Sequence, residues 1–284
     1  MKTSTEYKST MRHVGHEKAI ELIAKAGFDA FDCTLQELAN YDGTSLTHNS
    51  KFCGNDYAKY ARHLRHIAED NGIICNQSHA PDPSYVSAVR YWFKRAIECT
   101  AEIGGSICVI HPDNYKGPEE NAEMFLELLP FAKEHGVKIA VENMWNYHYE
   151  GQHVLPAACS HHDDFLAHIK AVNDDSFVAC VDVGHAEIRG LNTSAAQMIR
   201  TLGHHVQALH LHDTDLVNDN HQIPFSMSID YEAIVRALKD VNYQGFFTLE
   251  SSCYLSAFNA DNVFEGVCNM SRAARRLADM FDAL

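Results

Sequence analysis

Between Ala208 and His221 the chain reads ALHLHDTDLVNDNH, which sets His210, His212 and His221 among Asp213, Asp215 and Asp219. Imidazoles and carboxylates packed this densely repel one another in a plain core. They fit a place where one or more cations sit. Residues of the same kind close other apolar runs: His79 in IICNQSHAP, His111 in SICVIHP, Glu142 in VKIAVEN, Asp182 and His185 in FVACVDVGH, and Glu250 in GFFTLES. A mainly oxygen ligand set with one imidazole suits Mn²⁺, Mg²⁺ or Co²⁺, and adding His79, His111 and His221 shifts the preference toward Zn²⁺ and more than one ion.

The elements that must position these groups alternate in type. Strands are expected at the N-terminus up to Glu6 and at 28–35, 73–81, 106–112, 137–143, 177–185, 206–213 and 245–251. Between them, helical periodicity covers 15–26, 56–71, 86–103, 118–136, 163–172, 194–202 and 230–241, and a closing helix covers 262–282. Gly27, Gly72, Gly104 and Gly136 stand where helix ends need them, and Pro118 suits a first turn. The strands read as apolar on both faces, as buried parallel strands do. Eight β/α pairs in 284 residues, without linker or repeat, favour an α/β fold with one (β/α)₈ TIM barrel spanning 1–284 over an open doubly wound sheet.

In such a barrel the active site lies at the C-terminal ends of the strands. Strands three to eight end in His79, His111, Glu142, Asp182, His210 and Glu250, with His185 just beyond, and the loop after strand seven adds Asp219 and His221. Neighbouring strands lie about 4.8 Å apart, so these residues ring one mouth. A histidine or glutamate at one strand end is usually solvated; six in succession at the same end form a site. His212 shares the direction of His210 one step further out, as a supporting or substrate-facing group. His204 and His205 precede strand seven, at the opposite end. His63, His66, His161 and His162 read as solvated or helix-capping. Trp145, Tyr147 and Tyr149 form an aromatic loop after Glu142 that suits a substrate wall, and Arg189 and Lys116 are cations near the mouth.

Composition narrows the partners. With 23 Lys+Arg against 38 Asp+Glu the formal charge is −15, the wrong sign for a protein whose main task is gripping phosphate backbones. Nine cysteines without a CxxC pair read as reduced thiols of a cytoplasmic protein. No apolar run has membrane length, and MKTSTEYKST has no secretory h-region.

With these motifs in place the chain resembles the xylose-isomerase-like TIM-barrel superfamily of sugar phosphate isomerases and epimerases, which also contains endonuclease IV. The marks are His79-Ala80-Pro81, His111-Pro112, Glu142-Asn143, Asp182-x-Gly184-His185, His210-Leu211-His212-Asp213, Asp219-x-His221 and Leu249-Glu250, in that order over almost the whole chain. In the ketose 3-epimerase branch, the resemblance implies one divalent metal held by Glu142, Asp182, His210 and Glu250. It implies Glu142 and Glu250 as the proton-transferring pair, with His185 contacting substrate. The endonuclease IV branch implies a three-zinc site that adds His79, His111, His185, Asp219 and His221. Ile223-Pro224-Phe225 followed by Ile229-Asp230 looks like the sugar-isomerase members, although Ser226-Met227-Ser228 replaces the glycine-containing turn of many relatives.

The expected activity is isomerisation or epimerisation of a small sugar, sugar phosphate or related polyol. A proton next to a carbonyl is removed through a metal-stabilised enediolate, with a divalent ion and no organic cofactor. His185, Trp145 and Arg189 are the expected substrate contacts. Nucleic acid and membrane are not expected partners, and a homo-oligomer is compatible with the sequence. Two alternatives stay open: a multi-zinc phosphodiesterase like endonuclease IV, and a non-catalytic sugar-binding barrel.

Overall fold

The computed structural model describes residues 1–148 and 153–284. Its centre is a sheet of eight parallel strands: β1 (Thr3–Glu6), β2 (Ala30–Thr34), β3 (Ile74–His79), β4 (Ile107–Ile110), β5 (Lys138–Glu142), β6 (Phe177–Asp182), β7 (Val206–His210) and β8 (Phe247–Leu249). Neighbours pair in chain order from β1 to β7, and β8 returns to lie beside β1. Between β7 and β8 the ring is joined just beyond the strand end, where Leu211 N–H donates to the Thr248 carbonyl at 2.9 Å and Glu250 N–H to the Leu211 carbonyl at 3.0 Å. The result is a nearly closed (β/α)₈ barrel.

Helices α1 (His16–Lys25), α2 (Tyr57–Asp70), α3 (Phe93–Glu102), α4 (Pro118–Glu134), α5 (His162–Val172), α6 (Ala195–Leu202), α7 (Tyr231–Asp240) and α8 (Val263–Asp282) follow the strands in turn. Their apolar faces meet the outward strand residues, among them Phe31, Ile110, Val181, Leu209 and Phe247, in one continuous core. Local chemistry sets their ends. Asp230 accepts the N–H groups of Glu232 and Ala233 at the start of α7, Ser194 accepts that of Gln197 at the start of α6, and Pro118 opens α4. No helix among the described residues is long and apolar enough to cross a membrane.

Several features were not expected from the sequence. A short helix, Lys8–Val14, follows β1 directly, and another, Val183–Glu187, follows β6, which therefore ends at Asp182 rather than His185. The 86–103 segment is broken into Ser87–Arg90 and α3. The loop after β5 carries a two-stranded ribbon, Asn146–His148 with His153–Leu155; Tyr149 lies outside the described residues.

The barrel interior corrects one expectation. On β4 to β7 the inward positions are apolar, with Val109, Ala140, Val178, Cys180 and Ala208 forming a small cluster of their own. On β1, β3 and β8 they are not: Ser4, Asn76, Gln77 and Thr248 are buried. These groups satisfy one another. Ser4 donates to Asn76 Oδ1 at 2.6 Å, and the Asn76 amide donates to Gln77 Oε1 at 3.2 Å and Thr248 Oγ1 at 3.1 Å. Reciprocal pairing of this kind removes the desolvation penalty of polar side chains in an interior.

Candidate metal centre

Two-residue alternation carries each inward row up to the mouth. Above Ser4 stands Glu6, above Gln77 His79, above Val109 His111 and above Ala140 Glu142. Above Cys180 stands Asp182, above Ala208 His210, and above Thr248 Glu250. They surround or underlie a cavity of about 420 Å³ lined by, among others, Glu6, Asp32, His79, His111, Glu142, Trp145, His185, Asp219, His221 and Glu250.

Ligand atoms of Glu142, Asp182, His210 and Glu250 all lie within 4.8 Å of one another, so the four residues that the resemblance implied as ligands do converge. His210 Nδ1 is 3.2 Å from Glu142 Oε1 and 3.4 Å from Glu250 Oε2. A second face of Glu142 meets two histidines, with Oε2 3.5 Å from His79 Nε2 and 3.3 Å from His111 Nε2; those two nitrogens are 2.9 Å apart. On the other side His185, His212, Asp219 and His221 form another group. There Asp219 Oδ2 stands 3.2 Å from His185 Nε2 and 3.0 Å from His221 Nε2.

The orientation of the rings is fixed from behind. His79, His185 and His221 each direct Nδ1 at a backbone carbonyl, of Ala80 at 2.9 Å, Asn143 at 2.9 Å and Glu250 at 2.8 Å. The carbonyl requires an Nδ1–H, which leaves Nε2 as the nitrogen facing the cavity. His221 reaches its place with a φ of 42°, a left-handed backbone that a non-glycine residue holds only when its surroundings insist. Asp182 caps the short helix after β6 by accepting His185 N–H at 2.8 Å, and its backbone is clamped by Asn143, which both accepts its N–H and donates to its carbonyl.

Electrostatics polarise these groups. Burial pushes Glu142 toward neutrality, but His210, His111 and His79 overcome it and hold the carboxyl well below the ordinary range. Burial likewise opposes ionisation of Asp182, yet His185 and His212 bring it down to about 2. Burial disfavours the charged form of His79 and His221, and the facing carboxylates reverse this, raising them to about 9 and about 10. Glu142 and Asp182 therefore stay ionised and demand positive charge. Meanwhile Glu142 Oε2, His210 Nδ1 and Asp219 Oδ1 are buried without a hydrogen-bond partner among the described residues. Orphaned buried acceptors of this kind suit a divalent cation, and the donor set fits one.

His212 is fully buried and donates from Nε2 to Asp182 at 3.0 Å, so it supports a ligand and does not face substrate. Its ring lies against Gly184, where a Cβ would meet His212 Cε1 at 2.0 Å. We expect Gly184→Ala to displace His212 from Asp182 and to lower unfolding free energy by about 1–3 kcal/mol, read from urea melts.

Asp213 and Asp215 serve the loop. Asp213 accepts backbone N–H groups from Thr214, Met227, Ser228 and Ile229, which fixes the Ser226-Met227-Ser228 turn without the expected glycine; Phe225 takes the positive φ, 70°, instead. Asp213→Ala strands these donors and should cost roughly 3 kcal/mol in the same melts, with a mobile 214–228 loop seen in hydrogen exchange.

Trp145 lines the cavity, its ring 6.5 Å from that of His185. Arg189 is exposed and Lys116 lines a different groove, so neither is brought to the cavity. His161 caps α5 as expected, and His204 and His205 sit in the turn before β7. Two cavity carboxylates escaped the sequence reading. Glu6 and Asp32 sit on β1 and β2; the outward pair Phe31 and Cys33 is the signal in the sequence that Asp32 points in.

A (β/α)₈ barrel with a carboxylate–imidazole cluster at the C-terminal mouth of its strands places its candidate site where barrels of this class carry their chemistry. Residues 20–279 match the family described as xylose isomerase-like TIM barrel, and the chain belongs to that family. A D-psicose 3-epimerase of Agrobacterium fabrum is 23% identical over 252 residues, 81% of this chain and 77% of that protein. An uncharacterised protein of Methanocaldococcus jannaschii is 23% identical over 179 residues, which covers 60% of this chain and 59% of that protein. Among solved structures, a D-tagatose 3-epimerase-like protein superposes with a TM-score of 0.73 at 18% identity, covering 100% of this chain and 99% of that one. The IOLI protein with a bound zinc atom gives 0.72 at 18% identity over the same shares. At such identities these two structures show the shared fold.

Proposed function

We propose that the protein is a divalent-metal-dependent epimerase or isomerase of a small sugar, sugar phosphate or related polyol. One observation carries this reading: Glu142, Asp182, His210 and Glu250 converge within 4.8 Å at the base of a cavity, with Glu142 Oε2 and His210 Nδ1 unpaired. The similarity to a D-psicose 3-epimerase supports the substrate class. These four residues would hold the ion, Mn²⁺, Mg²⁺, Co²⁺ or Zn²⁺. Bound there, a divalent ion supplies a Lewis acid that offsets the negative charge created when a proton leaves the carbon beside a carbonyl.

The chain's own part is proton transfer and exclusion of water. Glu142 and Glu250 approach from β5 and β8, 3.2 and 3.4 Å from His210 Nδ1. One carboxylate, ionised, takes the proton, and the other, carrying a proton drawn from solvent, delivers that different proton to the opposite face, which inverts the carbon. His185, held by the Asn143 carbonyl, presents Nε2 to substrate hydroxyls, and Trp145 closes the wall. Incubating a panel of ketoses and their phosphates with the protein in D₂O tests this by NMR. Deuterium at the carbon next to the carbonyl, with the epimer appearing, supports it; no exchange with any member under Mn²⁺, Mg²⁺, Co²⁺ or Zn²⁺ sinks it.

A second reading is favoured by the extra groups, His79 with His111 and His185 with Asp219 and His221, which offer places for further ions. A multi-zinc phosphodiesterase would use them to activate water. The charge of −15 weighs against a DNA substrate. Two or three equivalents of zinc in the purified protein together with incision of an abasic-site duplex would establish this reading in place of the first.

A further inference from the structure

We propose that Asp32 is a positioning residue that selects which ring nitrogen of His210 faces the metal, so that β2, which supplies no ligand, still sets the centre. The inference rests on the metal-dependent reading above and extends it to a residue that neither the ligand set nor the proton-transferring pair includes.

Set beside His79, His185 and His221, His210 is the exception. His79, His185 and His221 send Nδ1 to a carbonyl and show Nε2 to the cavity. His210 is turned the other way round. Its Nε2 lies 3.3 Å from Asp32 Oδ2, and its Nδ1 faces Glu142 and Glu250 with no hydrogen-bond partner. With the Asp32 carboxylate as the hydrogen-bond acceptor at Nε2 among the described residues, the Nε2–H is retained and the Nδ1 lone pair is released toward the two glutamates. A charged acceptor does more than a carbonyl here. It raises the basicity of the ligating nitrogen and holds the plane of the ring.

Asp32 is itself aimed from below. It is 2% exposed, and its Oδ2 also accepts from the Gln77 amide at 2.9 Å. Gln77 Oε1 is occupied by Asn76, which is anchored by Ser4 and Thr248. The polar half of the barrel interior thus ends in Asp32 and, through it, in His210. The remaining oxygen, Oδ1, is buried with no partner among the described residues. A half-satisfied buried carboxylate is costly, so a role in packing alone does not account for it.

The test compares wild type, Asp32→Ala and Asp32→Asn in titrations with Zn²⁺ and Mn²⁺ alone, no sugar present. Loss of the acceptor in Asp32→Ala should weaken binding by about 10–100-fold. Asp32→Asn, whose amide oxygen still accepts from Nε2–H, should recover more than half of that loss on a logarithmic scale. A spectroscopic mark accompanies it: in ¹⁵N-labelled, Zn²⁺-loaded protein, the His210 Nε2–H should be protected from solvent exchange in wild type and Asp32→Asn and lost in Asp32→Ala. The proposal is overturned if Asp32→Ala binds Zn²⁺ within about threefold of wild type, if Asp32→Asn binds no better than Asp32→Ala, or if wild type lacks the protected Nε2–H. Wild type binding neither metal would sink the functional reading as well, whereas normal binding by Asp32→Ala sinks this inference alone.

Discussion

Glu142→Gln and Glu250→Gln should each slow deuterium exchange beside a ketose carbonyl by about 10²–10⁴-fold, the usual contribution of a positioned acid or base. The substitution keeps shape and removes the proton-accepting charge. The two variants should differ in a second measurement. Glu142 is 1% exposed and faces His79, His111 and His210 at 3.2 to 3.5 Å, so an amide there also confronts imidazoles with a donor and should weaken metal binding. Glu250 is 20% exposed and lines the cavity from β8, so its variant should retain more metal while losing turnover. Exchange that survives either change at the wild-type rate would remove that residue from the proton-transfer role.

Stripping the metal should abolish turnover and lower the melting temperature. The ordered protein confines Glu142, Asp182, Asp219 and Glu250 among histidines with several acceptors unpaired, and the unfolded chain has no such site. An ion that binds only the folded form at 100 times its Kd stabilises it by about 2.7 kcal/mol. For a chain of this size that corresponds to roughly 5–10 °C. Dialysis against a chelator followed by differential scanning fluorimetry, with Mn²⁺, Co²⁺ or Zn²⁺ restored singly, reads both effects. A melting temperature and an exchange rate unmoved by chelation would mean that the cluster works as a set of ion pairs without a metal.

The site was legible in the sequence wherever a reactive residue closed an apolar run, because alternation and the barrel's polarity of direction then fixed its place. That logic found His79, His111, Glu142, Asp182, His210 and Glu250, and the structure gathers them at one mouth. It failed where no apolar run led up to the reactive residue: TSTE is polar throughout, and in AFDCT the inward Asp32 stands between the outward Phe31 and Cys33. Arg189 failed for another reason. Two residues beyond the helix at Val183–Glu187, the backbone turns away to bond Leu216, a change of direction that only three-dimensional packing decides. The fold itself, strand for strand, followed from the alternation of elements, while the short helices after β1 and β6 are too brief to leave a periodic signal.

The divided interior of the barrel gives its two sides different freedom to drift. On β4 to β7, where Val109, Ala140, Val178, Cys180 and Ala208 meet, any set of side chains with the same total volume serves equally well. On β1, β3 and β8 each donor has a designated acceptor, so a change at Asn76 or Thr248 needs a matching change elsewhere. Half of the barrel can therefore be rewritten one residue at a time, and the half that leads up to Asp32 only in concert.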